Sequence, residues 1–235
     1  MNPQHYEPKR IYIAERNPKL SREQFIQRWR QHGALAMSFM ARQNWANVIL
    51  YVHCDAIHDH GIGGFSDCYD GMGVLHFRDQ TAREQHIGFT EARAALAADE
   101  EETFKTQMKY GLGNVTRETV LLEGPALGVK VVYCRQLTDK VQANRHAPRR
   151  ASVALRAFGG ALRRYVQSIP VTPENGSAWG LQSDLIEELW FDDVVAVRKA
   201  FNEPEAADFH ADRTDLSEAP IVLLTREIVL SCRGE

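Results

Sequence analysis

The sequence predicts an α+β protein made of two tandem ferredoxin-like repeats, each with the element order βαββαβ. Hydrophobic periodicity gives this order twice, once on each side of a Gly-Pro-Ala-Leu segment at residues 124–127. Residue types also recur in the two halves at one spacing of 114 residues. The recurring pairs are His32 and His146, Tyr51 and Tyr165, Asp70 and Asp184, and Phe77 and Phe191. A spacing that holds from the first helix to the third strand indicates a duplicated unit.

The first repeat is expected to span residues 1–124 and to begin with a strand at 10–15. Ser21 and Gln24 have the spacing of a capping box, which places the start of a helix after Ser21. The other expected elements are strands at 47–54, 72–77 and 118–123 and a helix at 79–104.

The second repeat is expected to span residues 128–235. Its expected elements are strands at 129–135, 163–169, 184–191 and 221–230, and helices at 139–158, at 193–201 and beyond Pro204. Pro148 is expected to break or kink the first of these helices, because proline lacks the backbone N–H that a helix interior uses.

Each repeat would form a four-stranded antiparallel sheet with both helices on one face, which leaves the other face uncovered. We therefore expect the two uncovered faces to pack against each other, with a ligand pocket between the sheets.

Strand alternation predicts which side chains face that pocket. In the third strand of each repeat one face is wholly apolar, with Leu75 and Phe77 in the first repeat, and is expected to pack under the helices. The other face carries His76 in the first repeat and Glu188 and Trp190 in the second, so we expect these to face the pocket.

The second strands give a similar prediction. The apolar set Val48, Leu50 and Val52 is expected under the helices, which places Ile49, Tyr51 and His53 in the pocket. The spacing then adds the counterparts Arg163, Tyr165 and Gln167. Buried polar groups require partners, and a ligand would supply them; pairing with one another or with water is the alternative.

The composition excludes several classes of protein. A net charge of −3 argues against a basic nucleic-acid surface. No apolar run reaches the length of a membrane span, and the first ten residues lack the apolar region of a secretory signal. Four widely spaced cysteines without a Cys-x-x-Cys motif are typical of free thiols in a reducing compartment. A cytoplasmic protein is therefore expected.

Four short motifs resemble the EthD-domain family. Ser21–Ala36 (SREQFIQRWRQHGALA) resembles the family's helix, in which a Phe, a Trp four residues on and a His three further on precede small residues. Tyr69–Phe77 (YDGMGVLHF) resembles its Tyr-Asp-Gly strand. Ser183–Phe201 resembles that strand with the following helix, and Asn144–Arg150 keeps a His-Ala-Pro sequence. The resemblance spans nearly the whole chain as two tandem copies.

This resemblance implies an intramolecular dimeric α+β barrel in which the two repeats pack sheet to sheet. It also implies a group of small isomerases, lyases, dehydratases and cofactor-independent oxygenases that act on aromatic ring-cleavage products or polyketides. The second copy departs from the family pattern, because Asp139 and Ala143 stand where Phe and Trp are expected.

His32 and His146 are the leading candidates for acid/base catalysis, since the pKa of histidine lies near neutrality. A structural bond from each histidine to a helix-end carbonyl is the alternative. Glu188 is a further candidate base, because the wall formed by Trp190 would raise its pKa; an ion pair with Arg163 or Arg164 is its alternative. His76 is the remaining candidate proton carrier.

Tyr51 and Tyr165 are candidates to stabilise an enolate with their hydroxyl groups, or else form aromatic walls of the core. Arg163 is a candidate for binding a substrate carboxylate, with a surface position as the alternative. His53, Gln167 and Trp190 complete the expected substrate-binding set.

These candidates predict a cofactor-independent isomerase or lyase that acts on a small unsaturated carboxylic acid or enol, such as an aromatic ring-cleavage intermediate. A polyketide-type cyclase or dehydratase, a cofactor-free oxygenase and a non-catalytic ligand-binding protein are the alternatives. No cofactor and no metal is expected, although His53, Asp55, His58, Asp59 and His60 form a dense cluster of ligand types. The expected partner is a small-molecule substrate with a carboxylate group, with neither nucleic acid nor membrane. Whether the chain forms a homodimer stays open.

Overall fold

The computed structural model describes residues 8–42, 48–79, 81–82, 90–106, 112–139, 143–170 and 183–232. The strands are β1 (Lys9–Ala14), β2 (Val48–Ala56), β3 (Gly71–Phe77), β4 (Leu112–Leu122), β5 (Val129–Arg135), β6 (Arg164–Pro170), β7 (Leu185–Phe191) and β8 (Ile221–Cys232). The helices are α1 (Arg22–Arg42), α2 (Thr90–Thr103), α3 (Ala143–Phe158), α4 (Val194–Phe201) and α5 (Pro204–Ala211).

The eight strands form one closed antiparallel barrel in the order β1-β3-β2-β8-β5-β7-β6-β4. Within each half the order has the same form, β4-β1-β3-β2 and β8-β5-β7-β6. The halves join edge to edge through the pairs β2–β8 and β4–β6. The α+β class is confirmed. The expected barrel is confirmed as well, since hydrogen bonds between the edge strands close both sheets into a single barrel, which leaves no free edge among these eight strands. The two tandem ferredoxin-like repeats stay a prediction.

Local sequence explains where the elements begin. The backbone N–H of Ser21 donates to Oε1 of Gln24 at 2.8 Å, and the N–H of Gln24 donates to Oγ of Ser21 at 3.2 Å. The predicted capping box is therefore confirmed at the start of α1. Pro148 lies inside α3, and the helix continues through it to Phe158 instead of breaking.

Three apolar cores fill the structure. The barrel interior takes side chains from both halves, including Ile11, Val52, Val74, Val132 and Ile186. A second core packs between the strands of the first half and α1, and a third packs between the strands of the second half and α3 to α5. Each half thus has a space between its sheet and its helices that is separate from the barrel interior.

The face predictions succeed for β3 and β7 and fail for β2. Leu75 and Phe77 pack on the helix side of the first half, as expected. Val52, however, faces the barrel interior, whereas Tyr51 packs on the helix side. A register irregularity between Val48 and Leu50 shifts the alternation, so that Val48 stays on the helix side.

The same inversion holds in β6. Tyr165 belongs to the helix-side core of the second half, and Gln167 donates to the backbone oxygen of Ala147 in α3. Tyr51, His53, Tyr165 and Gln167 therefore lie under the helices and not in the space inside the barrel. None of the described helices has the length and apolarity needed to cross a membrane.

Candidate active site

The helix-side space of the first half contains a cluster of polar aromatic side chains, which we call the first-half site. Its members are Tyr12 from β1, Trp29 and His32 from α1, Tyr51 and His53 from β2, and Asp99 from α2. All but Asp99 are almost completely buried. The site thus depends on the packing of two helices on two strands.

His53 is neutral, and its neighbours fix its tautomer. Nη1 of Arg30 lies 2.7 Å from Nδ1 of His53, and a guanidinium group can only donate. Nδ1 is therefore the acceptor, and Nε2 carries the proton. Burial lowers the pKa of His53 to about 2, with the charges of Arg30 and His32 acting in the same direction.

The hydroxyl groups of Tyr12 and Tyr51 lie 3.2 Å apart, and each accepts a hydrogen bond from a neighbouring N–H group. Nε1 of Trp29 donates to the oxygen of Tyr12 at 3.1 Å, and Nε2 of His53 donates to the oxygen of Tyr51 at 2.9 Å. One tyrosine hydroxyl then donates to the other. The second hydroxyl proton has no acceptor among the described residues, since Nε2 of His53 is already protonated. The site therefore offers one buried O–H donor to a ligand.

Both tyrosines stay protonated at neutral pH. Burial raises the pKa of Tyr51 to about 12 and raises that of Tyr12 well above its usual value. A neutral phenol that lacks an acceptor is a suitable donor to an oxygen that becomes negatively charged.

His32 and Asp99 form a histidine–carboxylate pair in the same space. Nδ1 of His32 lies 2.8 Å from Oδ2 of Asp99, whose other oxygen pairs with Arg28. Asp99 thereby holds the proton on Nδ1 and leaves the lone pair on Nε2. Burial lowers the pKa of His32, so the imidazole is a neutral base at pH 7. The ring of Phe104 contacts both His32 and Tyr12, which places the base and the phenols around one aromatic side chain.

Glycine at position 73 provides the room for this cluster. A Cβ atom at Gly73 would lie 2.0 Å from Cζ of Tyr12, and one at Gly71 would lie 2.6 Å from the ring of Trp29. Side chains at these two positions of β3 would displace the aromatic rings.

The equivalent space of the second half contains a different set of side chains. Strand register and helix position align Arg135 with Ala14, Arg150 with Ala36 and Glu187 with Gly73. Oε2 of Glu187 accepts from Nε of Arg135 at 2.9 Å and from Nε of Arg150 at 3.1 Å, and all three residues are buried. The second half therefore has large charged side chains at positions where the first half has small residues against aromatic rings.

Tyr165, Gln167 and His146 lie beside this charged cluster. The hydroxyl of Tyr165 donates to Oε1 of Glu187 at 2.6 Å, and Nε2 of Gln167 lies 2.8 Å from that hydroxyl. His146 lies on the buried face of α3. The two arginines hold the pKa of Glu187 at about 2 in spite of its burial, so this carboxylate stays ionised.

Glu188 lies in the barrel interior and is paired with two lysines. Oε2 of Glu188 is 2.8 Å from Nζ of Lys9, and Oε1 is 2.8 Å from Nζ of Lys130. Burial alone would raise its pKa, but the two ammonium groups outweigh burial and lower it. The expected raised pKa of Glu188 is therefore wrong. Its alternative, an ion pair with Arg163 or Arg164, is also not what the structure shows, because the partners are lysines.

Three further candidates lie outside the first-half site. Arg163 is exposed and donates through two nitrogens to Asp192, so its expected role in binding a buried carboxylate is contradicted. Trp190 is buried in the barrel, where Lys130 and Arg164 lie over its ring. His76 is half-buried on β3, on the face that carries Met72 and Val74.

The expected single pocket is thus divided among three spaces. The first-half site unites His32, Tyr51 and His53; the second half unites His146, Tyr165 and Gln167; and Glu188 and Trp190 lie in the barrel. Sequence reasoning missed Tyr12 and Asp99 as functional residues. The Ile-Tyr-Ile alternation of β1 contained a signal for Tyr12, whereas nothing in the sequence of α2 distinguishes Asp99 from its acidic neighbours.

The dense cluster after β2 does not converge on one point. His53 stacks on Trp29 with ring centroids 3.9 Å apart, Asp55 pairs with Arg30, and His60 contacts Phe65. Across the described ranges, no three His, Cys, Asp or Glu side chains are placed to hold a metal ion together.

Comparison with family models matches residues 17–106 to the EthD domain. The resemblance seen in the motifs is therefore confirmed for that stretch, which includes most of the first-half site. The presence of two tandem copies stays a prediction. Comparison with curated protein sequences finds no match.

Solved structures share the fold at low sequence identity. A candidate monooxygenase from Fusobacterium nucleatum is 8% identical with a TM-score of 0.57, over 98% of this chain and 94% of that one. An anthrone oxidase-like protein is 12% identical with a TM-score of 0.54, over 100% and 98%. A mutant chlorite dismutase from Candidatus Nitrospira defluvii is 10% identical over 93% and 91%, and its TM-score of 0.48 is too low to support an argument.

The expected isomerase or lyase class is contradicted by these comparisons. The two structures with the higher scores carry the names of a monooxygenase and an oxidase, which are oxidoreductases. At 8% and 12% identity they establish the fold of this chain and not its reaction.

Proposed function

We propose that the first-half site is the active site of a cofactor-free oxygenase that acts on a neutral aromatic substrate with an acidic C–H or O–H group, such as an anthrone. The observation that carries this proposal is the tyrosine hydroxyl of the Tyr12–Tyr51 pair that has no acceptor among the described residues. A phenol donor next to a neutral, carboxylate-held His32 supplies the two functions that form and stabilise a substrate anion.

In the proposed reaction Nε2 of His32 removes a proton from the acidic CH₂ carbon of the substrate, which is conjugated with the carbonyl group through the aromatic rings. The resulting negative charge moves onto the substrate oxygen, where the free tyrosine hydroxyl donates a hydrogen bond. Asp99 stabilises the imidazolium that forms, and it keeps the proton available for return.

The substrate anion itself reduces dioxygen, so the reaction needs no other reductant. One electron passes to O₂, and the two radicals combine to form a C–O bond and a peroxide anion. His32 returns its proton to give a hydroperoxide. Cleavage of the O–O bond with loss of the remaining hydrogen on that carbon then yields a ketone and water. The sum is R₂CH₂ + O₂ → R₂C=O + H₂O.

The composition of the site favours an uncharged aromatic substrate. Trp29, Tyr12, Phe25 and Phe104 supply aromatic walls, and the ring of Tyr12 lies directly over Gly73. Arg30, the cation nearest to His53, is already paired with Asp55. A stacked aromatic ring with one anionic oxygen would meet both the walls and the hydroxyl donor.

The division of labour between the halves belongs to the same proposal. Residues 1–124 and 128–235 would be two copies of one βαββαβ unit, of which the first retained the catalytic arrangement. The equal strand order of the halves and the family match to residues 17–106 support it.

The test is oxygen consumption with anthrone as substrate, measured with an oxygen electrode, together with formation of the quinone. His32→Gln is expected to lower kcat/KM about 10²–10⁴-fold, because it removes the base. Tyr51→Phe is expected to lower kcat by about 10²–10³-fold through loss of the hydroxyl network.

His146→Gln is the matched control, since His146 occupies the equivalent position in the second half. It should leave oxygen consumption unchanged. Binding of anthrone without oxygen uptake would replace the proposal with a ligand-binding role. Equal loss of activity in the His32 and His146 variants, with both folded, would contradict the assignment of catalysis to the first half.

A further inference from the structure

The charged cluster under α3 contains buried donors that the protein does not satisfy. Nη2 of Arg135 and both ring nitrogens of His146 are buried and make no hydrogen bond with the described residues. Nη2 of Arg150 is 3.1 Å from Oε2 of Glu187 but also makes no hydrogen bond. Buried donors without partners are rare in folded proteins, so their concentration in one place calls for an explanation.

The charges of the cluster are balanced. Arg135 and Arg150 are buried and face the two carboxylates of Glu187 and Asp212. Arg149 and Asp215 lie at the edge of the cluster with side chains 44% and 45% exposed, so solvent screens both of their charges.

His146 adds a polar ring to this charged cluster. Burial lowers its pKa, and the charges of Arg135 and Arg149 act in the same direction. Its ring is therefore neutral at pH 7 and can donate from one nitrogen without adding a further charge.

We propose that the second half contains a binding site for a small organic carboxylate, held by Arg135, Arg150 and His146. A planar carboxylate fits the donor geometry of guanidinium groups, and its two oxygens would accept from the unpaired Nη2 atoms of Arg135 and Arg150 and from the ring of His146. The partly exposed side chains of Arg149 and Asp215 mark the side on which the cluster reaches the surface.

This site is distinct from the proposed oxygenase site. Its residues Arg135, Arg150 and Glu187 stand at the positions of Ala14, Ala36 and Gly73 in the first half. The second half thus presents charge where the first presents an aromatic wall. The inference does not depend on the proposed oxygenase activity.

The experiment is a titration of the full chain with sodium acetate, compared with sodium chloride at the same ionic strength. The ring nitrogen signals of His146, assigned by their loss in His146→Leu, are followed by NMR. A saturable shift with acetate and none with chloride is expected. Acetate should also raise the unfolding temperature, by an amount that grows with the logarithm of one plus the ratio of the acetate concentration to Kd.

Two variants and one control make the result decisive. His146→Leu breaks no existing hydrogen bond and should weaken acetate binding about tenfold, the equivalent of one lost charge-assisted bond. Arg135→Met combined with Glu187→Gln avoids an unpaired carboxylate and should abolish binding. His32→Gln, in the first half, should leave acetate affinity unchanged.

A cluster that holds only water would give no saturable shift, and that result would overturn the proposal. Binding of inorganic phosphate without binding of acetate would also overturn it. So would an acetate affinity that is equal in the wild-type protein and the Arg135→Met/Glu187→Gln variant. Oxygen uptake with anthrone is measured separately, so the failure of either proposal can be recognised without the other.

Discussion

Equivalent positions of the two halves carry different chemistry. Gln167 stands where the first half has His53, and both side chains lie beside the hydroxyl of a tyrosine. An amide is neutral at every pH, whereas an imidazole has a pKa near 6.5 in the unfolded chain. Because residue 53 is a histidine, the free energy of unfolding should depend on pH.

Replacing His53 with Gln should reduce that dependence. The pKa of His53 is about 2 in the folded protein, so its contribution to stability is fully present above pH 6.5 and falls as the pH drops below it. Between pH 6.5 and 4.5, lowering the pH should reduce the free energy of unfolding less in His53→Gln than in the wild type. The two slopes should differ by about 1.4 kcal/mol per pH unit. Urea unfolding at a series of pH values measures this slope.

The variant retains the geometry, because a glutamine amide can accept from Arg30 and donate to Tyr51. His32→Gln serves as a comparison, since the carboxylate of Asp99 opposes the effect of burial on His32 and its slope should change less. Identical slopes in the wild type and His53→Gln would show that His53 titrates normally in the folded protein.

The sequence identifies several members of the first-half site but not their partners. His32 and Tyr51 recur at one spacing in the second half, and a repeated residue is visible without a structure. Asp99 and Tyr12 act only through contacts between elements far apart in the chain, at 2.8 Å and 3.2 Å from those residues. Such contacts depend on how α2 and β1 pack, which hydrophobic periodicity does not specify.

At the level of elements, the prediction of strand faces depended on one assumption that holds only in part. It took the polar face of each strand to point away from the helices. This succeeds for β3 and β7, where Leu75 and Leu189 belong to helix-side cores. It fails for β2 because the barrel interior is itself an apolar core, so Val52 is as well accommodated there as under a helix. The order of elements was predictable, whereas the faces of β2 and β6 were not.

The close approach of β1 to β3 makes Gly73 sensitive to substitution. Gly73→Ala would place Cβ 2.0 Å from Cζ of Tyr12, so the ring must move away from Trp29 and Tyr51. We expect the free energy of unfolding to fall by about 1–3 kcal/mol, as for other overpacked cores. Oxygen uptake should fall as well, since the hydroxyl pair is separated. Denaturant unfolding and the oxygen electrode measure the two effects.

Gly160→Ala is the matched control. A Cβ atom at Gly160 would have no heavy atom within 4 Å, so the change in stability should stay within about 0.5 kcal/mol. If Gly73→Ala were as stable and as active as this control, Tyr12 would have to be more mobile than its packing indicates.

At the level of the whole molecule, two kinds of contact join the halves. The strand pairs β2–β8 and β4–β6 close the barrel through backbone hydrogen bonds. Inside it, Glu188 from the second half binds Lys9 of the first half and Lys130 of its own half. Lys9 also binds Glu118, and Lys130 also binds Glu227, so the ionic chain runs across the interior. A polar network placed at the junction can specify how two similar halves are aligned.

Glu188→Gln tests whether this network stabilises the junction. The amide has no charge to balance two buried ammonium groups, each of which keeps only one carboxylate partner. We expect the free energy of unfolding to fall by about 3 kcal/mol, as when one member of a buried ion pair is removed.

Glu123→Gln is the control, because Glu123 is 71% exposed and its pair with Arg164 should contribute less than about 1 kcal/mol. Chemical denaturation of both variants compares the two, and equal effects would mean that the barrel interior admits enough water to screen Glu188. A single cooperative transition in the Glu188 variant would show that strand pairing alone keeps the halves folding together, whereas two separate transitions would assign that coupling to the ionic chain.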